Sequence, residues 1–327
     1  MNRILSLHTR RFALAKAFTI SRGSRTEAAV VEVNIQHRHL TGRGECVPYA
    51  RYGETLESVT AQIEGLRAKI ESGLTREALQ SALRAGAARN AVDCALWDLD
   101  AKTANVPAHI LAGLDRLSPA TTAYTLSLAA APEMEAAARE AAHRPLLKIK
   151  LGGAGDAARI AAVREGAPDS TLIVDANEAW TPELYPENIA ACVHAGVVLI
   201  EQPFRAGEDT ALEHLPRPIP VCADESVHDR HGLAALRNRY DAINIKLDKT
   251  GGLTEALLLA AEGKRLGFQL FIGCMVGSSL AMAPAMLLTA GAQFVDLDGP
   301  LLLKEDRPEG LKYEGSLVYP PASRLWG

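Results

Sequence analysis

A parallel βα barrel preceded by a smaller α+β domain is the fold that this 327-residue chain predicts. Two observations carry the prediction. From residue 121 onward, eight short apolar runs alternate with Ala- and Leu-rich stretches of helical spacing. Charged residues stand where those runs end. From Lys150 they recur at Asp175, Glu201, Asp224 and Lys246, in steps of 25, 26, 23 and 22 residues. One strand with its returning helix and loops takes roughly 30 residues or a little less, so each step reads as one βα unit. Charges scattered over a surface would not keep that interval.

Residues 1–115 are expected to form the smaller domain. Strand-like stretches, notably 28–35 (AAVVEVNI), give way between 58 and 103 to a helical pattern. There Val92, Ala95, Leu96 and Leu99 fall at i, i+3, i+4 and i+7, one face of an amphipathic helix. The barrel, 116–298, has strands read at 121–128, 146–151, 171–176, 197–202, 219–224, 242–247, 268–274 and 294–297. An open doubly wound sheet is the competing architecture. It would normally carry a glycine-rich turn after its first strand, and none follows Leu128. From Gly299 the chain is rich in Pro and Gly, which argues against an eighth helix. Residues 299–327 are expected to leave the barrel and return to the first domain.

Composition narrows the function classes. Hydrophobic content of 48% and charged content of 23% are those of a soluble globular protein. A formal charge of −4 with no basic run argues against nucleic acid or a membrane surface as partner. Arg3, Arg10, Arg11 and Lys16 break up the apolar residues of the first twenty, and no 18-residue apolar run occurs, so a cytoplasmic location is expected. The five cysteines, Cys46, Cys94, Cys192, Cys222 and Cys274, are widely spread and never form CxxC, which disfavours a disulfide framework or a zinc knuckle.

Active sites of such barrels lie at the C-terminal ends of the strands. Those ends present Thr125, Lys148 and Lys150, Asp175, Glu201, Asp224, Lys246, Cys274 with Met275, and Asp296 with Asp298. Lys148 and Lys150 are two apart on one strand and share a face. Two neighbouring ammonium groups are expected to lower each other's pKa, from about 10.4 toward the range of about 7–8 that suits a catalytic base. Three hard carboxylates with no Cys or His among them favour Mg2+, with Mn2+ next, over zinc. A single Asp or Lys at a strand end is most often a helix cap or half of a salt bridge. The ordered set Lys-x-Lys, Asp, Glu, Asp, Lys on consecutive strands departs from that ordinary pattern.

The strings LKIKL, VDANEAW, IEQPF, CADES and INIKLDKTGG, with FTISRGSRTEA, GRGECVPYARYGE and ARNAVDCALWDLDAK before them, resemble the muconate-lactonizing subgroup of the enolase superfamily, and within it the dipeptide epimerases. The resemblance covers nearly the whole chain. It implies a (β/α)7β modified TIM barrel whose mouth is covered by an N-terminal α+β capping domain. It also implies Asp175, Glu201 and Asp224 as Mg2+ ligands, Lys150 and Lys246 as the two acid/base lysines, and Lys148 as a contact to the substrate carboxylate. Elementary chemistry agrees, because inverting an α-carbon needs one group to remove a proton and another to return it from the opposite side. Strands two and six are four apart in a ring of eight, so Lys150 and Lys246 face each other. Superfamily sites use a Lys or His base beside Mg2+ to stabilise an enediolate, and FIGCM at the end of strand seven lacks the histidine of the other branch.

Substrate recognition is read from the remaining residues. Asp296 and Asp298 put two carboxylates on one side, where the resemblance implies capture of a substrate ammonium group. Either Arg22 or Arg25 in SRGSR is expected to pair with a substrate side-chain carboxylate by bidentate hydrogen bonds. Thr125, Cys274 and Met275 are expected substrate contacts. Asp248 and Glu225 either orient Lys246 and the metal shell or form plain salt bridges, and His228 is read as a surface residue. Gly152-Gly153 and Gly251-Gly252 read as turns, since no GK[ST] follows them. The expected enzyme is an Mg2+-dependent isomerase of Ala-Glu-type dipeptides, serving murein peptide recycling as a homo-oligomer. The alternatives are a cycloisomerase or an o-succinylbenzoate synthase-like β-elimination, and a non-catalytic ligand-binding descendant of the fold, which would have no use for two opposed bases.

Overall fold

The computed structural model describes residues 3–327; Met1 and Asn2, the first two residues of the expected first domain, lie outside it. The first domain opens with three antiparallel strands, Ile4–Ile20, Gly23–His37 and Leu40–Cys46, in sequence order. Five helices follow, Leu56–Glu64, Arg67–Glu71, Arg76–Ala82, Ala87–Ala104 and the short Ala108–Leu111. Thr55 and Thr75 cap two of them by accepting from Ser58 N–H and Ala78 N–H. Val92, Ala95, Leu96 and Leu99 are buried together against Val31, Val33 and Ile35 of the sheet, as their helical spacing requires.

The longest of these helices lies directly on the third strand. A Cβ on Gly44 would stand 2.1 Å from Ala91 O, and one on Gly42 would stand 2.1 Å from Ala95 O. Both obstacles are helix backbone, which cannot step aside as a side chain can. Gly44→Ala should therefore destabilise the protein by about 1–3 kcal/mol or more through overpacking. Thermal melting checks this, and a midpoint within about 1 °C of the wild type would refute the close-approach argument.

In the second domain, eight parallel strands run side by side in chain order: Tyr124–Leu126, Leu146–Lys150, Thr171–Asp175, Val197–Glu201, Val221–Ala223, Ala242–Ile245, Gln269–Ile272 and Phe294–Val295. Ala123 N–H donates to Val295 O at 2.7 Å and Leu297 N–H to Thr122 Oγ1 at 2.8 Å, so the first and last strands meet. Inside the ring, Ala123, Leu146, Ile173, Leu199, Cys222, Ala242 and Phe271 form one buried apolar cluster with Phe294 against it. Side chains alternate along a strand. The next inward positions are thus Thr125, Lys148, Asp175, Glu201, Asp224, Asn244, Gly273 and Asp296, a polar and mostly charged layer on an apolar floor.

The connections differ from a uniform helical pattern after strands four, five and eight. After strands four and five the chain makes single 3-10 turns, Thr210–Glu213 and Leu233–Leu236. Pro216, Pro218 and Pro220 stop the first from extending, because proline has no N–H to continue a helix. After strand eight a four-residue helix, Gly299–Leu302, stands in place of a full returning helix. Beyond it Lys304 N–H donates to Ala13 O, Arg307 pairs with Glu32 at 2.6 Å, and Trp326 Nε1 donates to Cys94 O at 3.0 Å. The same segment also touches the barrel, where Leu317–Val318 pairs with Ala120–Thr121. No helix among the described residues is long and apolar enough to cross a membrane.

Candidate active site

The strand ladders set the order of the charged groups. Lys150 is paired with Asp175 across strands two and three, and Asp175 with Glu201 across strands three and four. Asp224 follows strand five, Lys246 follows strand six, and Asp296 and Asp298 follow strand eight. Lys148, Lys150, Asp224, Lys246, Asp296 and Asp298 all line one cavity of about 850 Å³, counting its open mouth. Asp175 and Glu201 lie beneath it, fully buried. Thr125, Cys274, Met275, Arg22 and Arg25 line the same cavity, so the residues expected from the sequence to act in catalysis, metal binding or substrate contact all lie around it or beneath it.

The lysines and carboxylates interlock. Lys148 Nζ stands 2.7 Å from Glu201 Oε2, 2.9 Å from Asp296 Oδ2 and 3.3 Å from Asp175 Oδ2. Lys150 Nζ is 2.6 Å from Asp175 Oδ2, and Lys246 Nζ is 2.6 Å from Asp224 Oδ2. For Lys148 this reverses the expected depression. Burial pulls Lys148 down, but Asp296, Glu201 and Asp175 outweigh it and hold its pKa well above the ordinary value. Burial likewise opposes Lys246, and Asp224 and Glu201 again win, raising it. The carboxylates lie within hydrogen-bond distance of these ammonium groups. They respond unequally: burial works against Asp175, yet Lys150 and Lys148 bring it down to about 2. Glu201 is raised, by burial first and by Asp175 next.

The three carboxylates suit a hard cation by donor chemistry and by one unsatisfied atom. Glu201 Oε2 makes no hydrogen bond of acceptable angle, although Lys148 Nζ lies close to it. Asp175 Oδ1 is held by Asn177 N–H at 2.9 Å, Glu201 Oε1 by Asn244 Nδ2 at 2.7 Å, and Asp224 Oδ1 by Lys249 Nζ at 2.5 Å. Each ligand candidate therefore has one oxygen fixed by protein and the other turned to a lysine. As arranged, with lysine ammonium groups among them, no three acidic, His or Cys groups of the described residues converge on one point.

At the other wall, Asp298 Oδ2 accepts Thr125 N–H at 2.7 Å. Burial and the neighbouring Asp296 push Asp298 up to about 7. Asp296 Oδ1 is buried with no hydrogen-bond partner, a free acceptor beside Asp298. Such a pair matches an incoming ammonium group, which brings donors and positive charge together.

The two arginines part company. Arg22 pairs with Glu225 at 2.8 Å and with Glu178 at 3.2 Å, and it also donates to Asn177 O and Tyr49 Oη. It fastens the hairpin turn of the first domain to the loops after strands three and five. Arg25 instead stacks on Tyr49, its guanidinium 5.4 Å from the ring centroid, and takes no ion-pair partner among the described residues. Glu225 is thus a partner of Arg22 rather than an orienter of Lys246. Asp248 turns to the first domain, accepting from Val47 N–H at 3.0 Å and Asn90 Nδ2 at 2.8 Å. His228 is half-buried, edge-on to Tyr52. Gly152 and Gly153 give their N–H groups to Asp156, as turn glycines do, with no phosphate cradle.

Lys249, Asn244 and Gln202 escaped the reading of the sequence. Each lies within a motif already noticed, INIKLDKTGG or IEQPF. Their signal is polarity inside a buried stretch: Lys249 is 1% exposed and Asn244 and Gln202 are fully buried.

Comparison with known proteins shows the family. The profile of the mandelate racemase / muconate lactonizing enzyme N-terminal domain matches residues 5–113, and that of the enolase C-terminal domain-like family matches residues 129–321. The L-Ala-D/L-Glu epimerase of Escherichia coli K12 is 46% identical over 298 residues, 90% of this chain and 93% of that protein. The N-acetyl-D-glutamate racemase of a Pseudoalteromonas species is also 46% identical, over 303 residues, 91% of this chain and 95% of that protein. A crystal structure of an enolase family member from Agrobacterium tumefaciens with homology to dipeptide epimerases, holding sodium and L-Ala-L-Glu with an ordered loop, is 55% identical. It superposes with a TM-score of 0.98 over 99% of this chain and 100% of that one. With both domain profiles matched and these relatives aligned over nearly their whole length, the chain belongs to the mandelate racemase / muconate lactonizing enzyme family of the enolase superfamily.

Proposed function

We propose that the chain is a dipeptide epimerase that inverts the α-carbon of the C-terminal residue in Ala-Glu-type dipeptides, working in the cytoplasm as an assembly of identical chains on peptides released from murein. The observation that carries this reading is the joint presence, around one cavity, of two lysines on opposed strands and an aspartate pair at the far wall. Lys150 and Lys246 approach a bound α-carbon from opposite sides, so that one removes the proton and the other delivers one to the other face. Lys148 lies where it can hold the substrate carboxylate. Asp296 and Asp298 receive the α-ammonium group, and Arg25 is the guanidinium left to meet a glutamate side chain. Asp175, Glu201 and Asp224 would hold Mg2+, or Mn2+. Such an ion supplies charge stabilisation to the substrate carboxylate as its neighbouring carbon loses a proton, an effect worth several kcal/mol. Lys150 and Lys246 are ion-paired with two of these three carboxylates, Asp175 and Asp224, so a cation held by the set would draw those carboxylates away from both lysine side chains.

Proton NMR in D2O with Mg2+ and L-Ala-L-Glu tests the reading. The α-proton signal of the second residue should vanish while the L-Ala-D-Glu diastereomer appears, and EDTA should stop both. Exchange-free dipeptides together with dehydration of a succinylbenzoate precursor would move the chain to the β-elimination alternative.

The racemase relative supports a second reading, racemisation of N-acetylglutamate. An acetyl group differs from an alanyl group by the ammonium-bearing substituent, so the aspartate pair is what separates the two. It favours the dipeptide.

The arginines give a further expectation. Arg25→Ala should raise KM for L-Ala-L-Glu about 10- to 100-fold, the worth of one charged hydrogen-bonded contact. It should leave KM for L-Ala-L-Val nearly unchanged. Arg22→Ala should weaken both dipeptides alike, because it loosens the hairpin turn instead of a substrate contact. Steady-state kinetics on the two substrates decide it; an equal rise in both for Arg25→Ala would remove that residue from the specificity pocket.

A further inference from the structure

We infer that Gln202 is a positioning residue, one that fixes Asp224 in the place a cation ligand must occupy. The inference rests on the reading of Asp175, Glu201 and Asp224 as the cation-binding set. Asp224 needs such a support because strand five ends before it. On the strand-four side the ladder stops at the pairing of Glu201 with Cys222, two residues short of Asp224. The Asp224 N–H donates instead to a side chain, Gln202 Oε1, at 2.8 Å.

Gln202 is built for that contact. It directly follows Glu201 and is fully buried. Its backbone sits at φ +37°, a left-handed value that residues with a Cβ seldom adopt. Gln202 does not line the cavity; its side chain works behind the strand ends. Gln202 Oε1 accepts a second N–H from Ser226 at 3.1 Å, so one oxygen grips both sides of the Asp224-Glu225 pair. Nε2, with two hydrogens to donate, has three acceptors in reach: Phe204 O at 2.8 Å and Tyr240 Oη and Ser226 Oγ at 2.9 Å each.

The amide cannot flip without loss. The Tyr240 and Ser226 hydroxyls each donate to Asp209 Oδ2 at 2.6 Å, which leaves them as acceptors toward Gln202. The Gln202 backbone adds its own ties, donating to Cys222 O and accepting from Glu178 N–H, both at 2.9 Å. One residue thereby joins the loops after strands three, four and five, the three loops that follow the cation-binding carboxylates.

Groups that orient metal ligands typically change metal affinity about 10- to 100-fold when removed. Gln202→Met keeps the length of the side chain and removes its hydrogen bonds. Titration with Mn2+ alone, followed by isothermal calorimetry and by the electron paramagnetic resonance of free Mn2+, should show binding at least about tenfold weaker than the wild type. Melting temperatures of the metal-free proteins separate this from a loss of stability, which by itself leaves affinity of the folded protein unchanged. Asp209→Asn leaves Gln202 present and loosens its rear support. It should weaken Mn2+ about threefold or more, and it answers the question if Gln202→Met does not fold. Wild type that binds no Mn2+, or Asp224→Asn that binds it as tightly as wild type, would overturn the reading of the carboxylates, and the inference with it. Wild type that binds, Asp224→Asn that does not, and Gln202→Met or Asp209→Asn within about 1.5-fold of wild type would overturn the inference alone.

Discussion

Replacing Lys150 or Lys246 with alanine should lower epimerisation of L-Ala-L-Glu by about 100- to 10,000-fold, the usual contribution of a positioned acid/base group. The two lysines flank the carboxylates of strands three to five, at strands two and six, four places apart in the order of eight. A side chain on one strand cannot serve the opposite face of a substrate held between them. The single variants should therefore differ in a revealing way. Each loses net inversion, but each retains one lysine able to take the proton of one stereoisomer. In D2O, one variant should wash out the α-proton of L-Ala-L-Glu and the other that of L-Ala-D-Glu, neither forming the opposite diastereomer at an appreciable rate. If either variant epimerises within about tenfold of wild type, that lysine is not an acid/base group. If both variants exchange both isomers, the assignment of one lysine to each face is wrong. Each alanine variant removes one of two ion-pair partners from a buried carboxylate, leaving Asp175 with Lys148 and Asp224 with Lys249. Methionine at the same positions, which retains the bulk, serves as the control for packing.

The part of this site legible in the sequence is the part set by periodicity. Strand length and the return through a helix fix the interval between strand ends, and alternation within a strand fixes which side chains face inward. Lys148, Asp175, Glu201, Asp224 and Asp296 follow from those two rules, because each stands two residues beyond an apolar residue of the barrel floor. What the rules do not give is which charge meets which. The sequence suggested two repelling lysines; in three dimensions each lies against a carboxylate, and Lys148 and Lys246 are stabilised in the charged form. Nor could spacing separate Arg22 from Arg25, three residues apart in one turn. Their fates depend on Glu178 and Glu225, more than 150 residues away in the chain. The 3-10 turns after strands four and five were visible only as prolines and short spacing. Lys249 and Gln202 are hidden for a related reason. As read from the sequence, Lys249 stands just past a strand and Gln202 at the last position of one, and the burial of each arises from packing against neighbouring loops.

Neutralising the aspartate pair should produce the largest change in substrate choice. Asp296→Asn/Asp298→Asn is expected to lower kcat/KM for L-Ala-L-Glu by about 30- to 3,000-fold, corresponding to the roughly 2–5 kcal/mol lost when a buried charged partner is removed. Racemisation of N-acetylglutamate, which brings no ammonium group, should change far less. The two single variants should not be equal. Asp298 spends one oxygen on Thr125 N–H, and an asparagine can keep that bond through its own carbonyl, so Asp298→Asn removes charge with little rearrangement. Asp296 shares its Oδ2 with Lys148 and leaves Oδ1 unpartnered. Its neutralisation removes both an acceptor for the ammonium and a counter-charge for Lys148, and Asp296→Asn should be the more damaging single change. Kinetics on L-Ala-L-Glu and N-acetyl-L-glutamate in parallel check all three variants. Equal losses on the two substrates would show that the pair supports the site as a whole, and the dipeptide reading would then lose the feature that separates it from N-acetylglutamate racemisation.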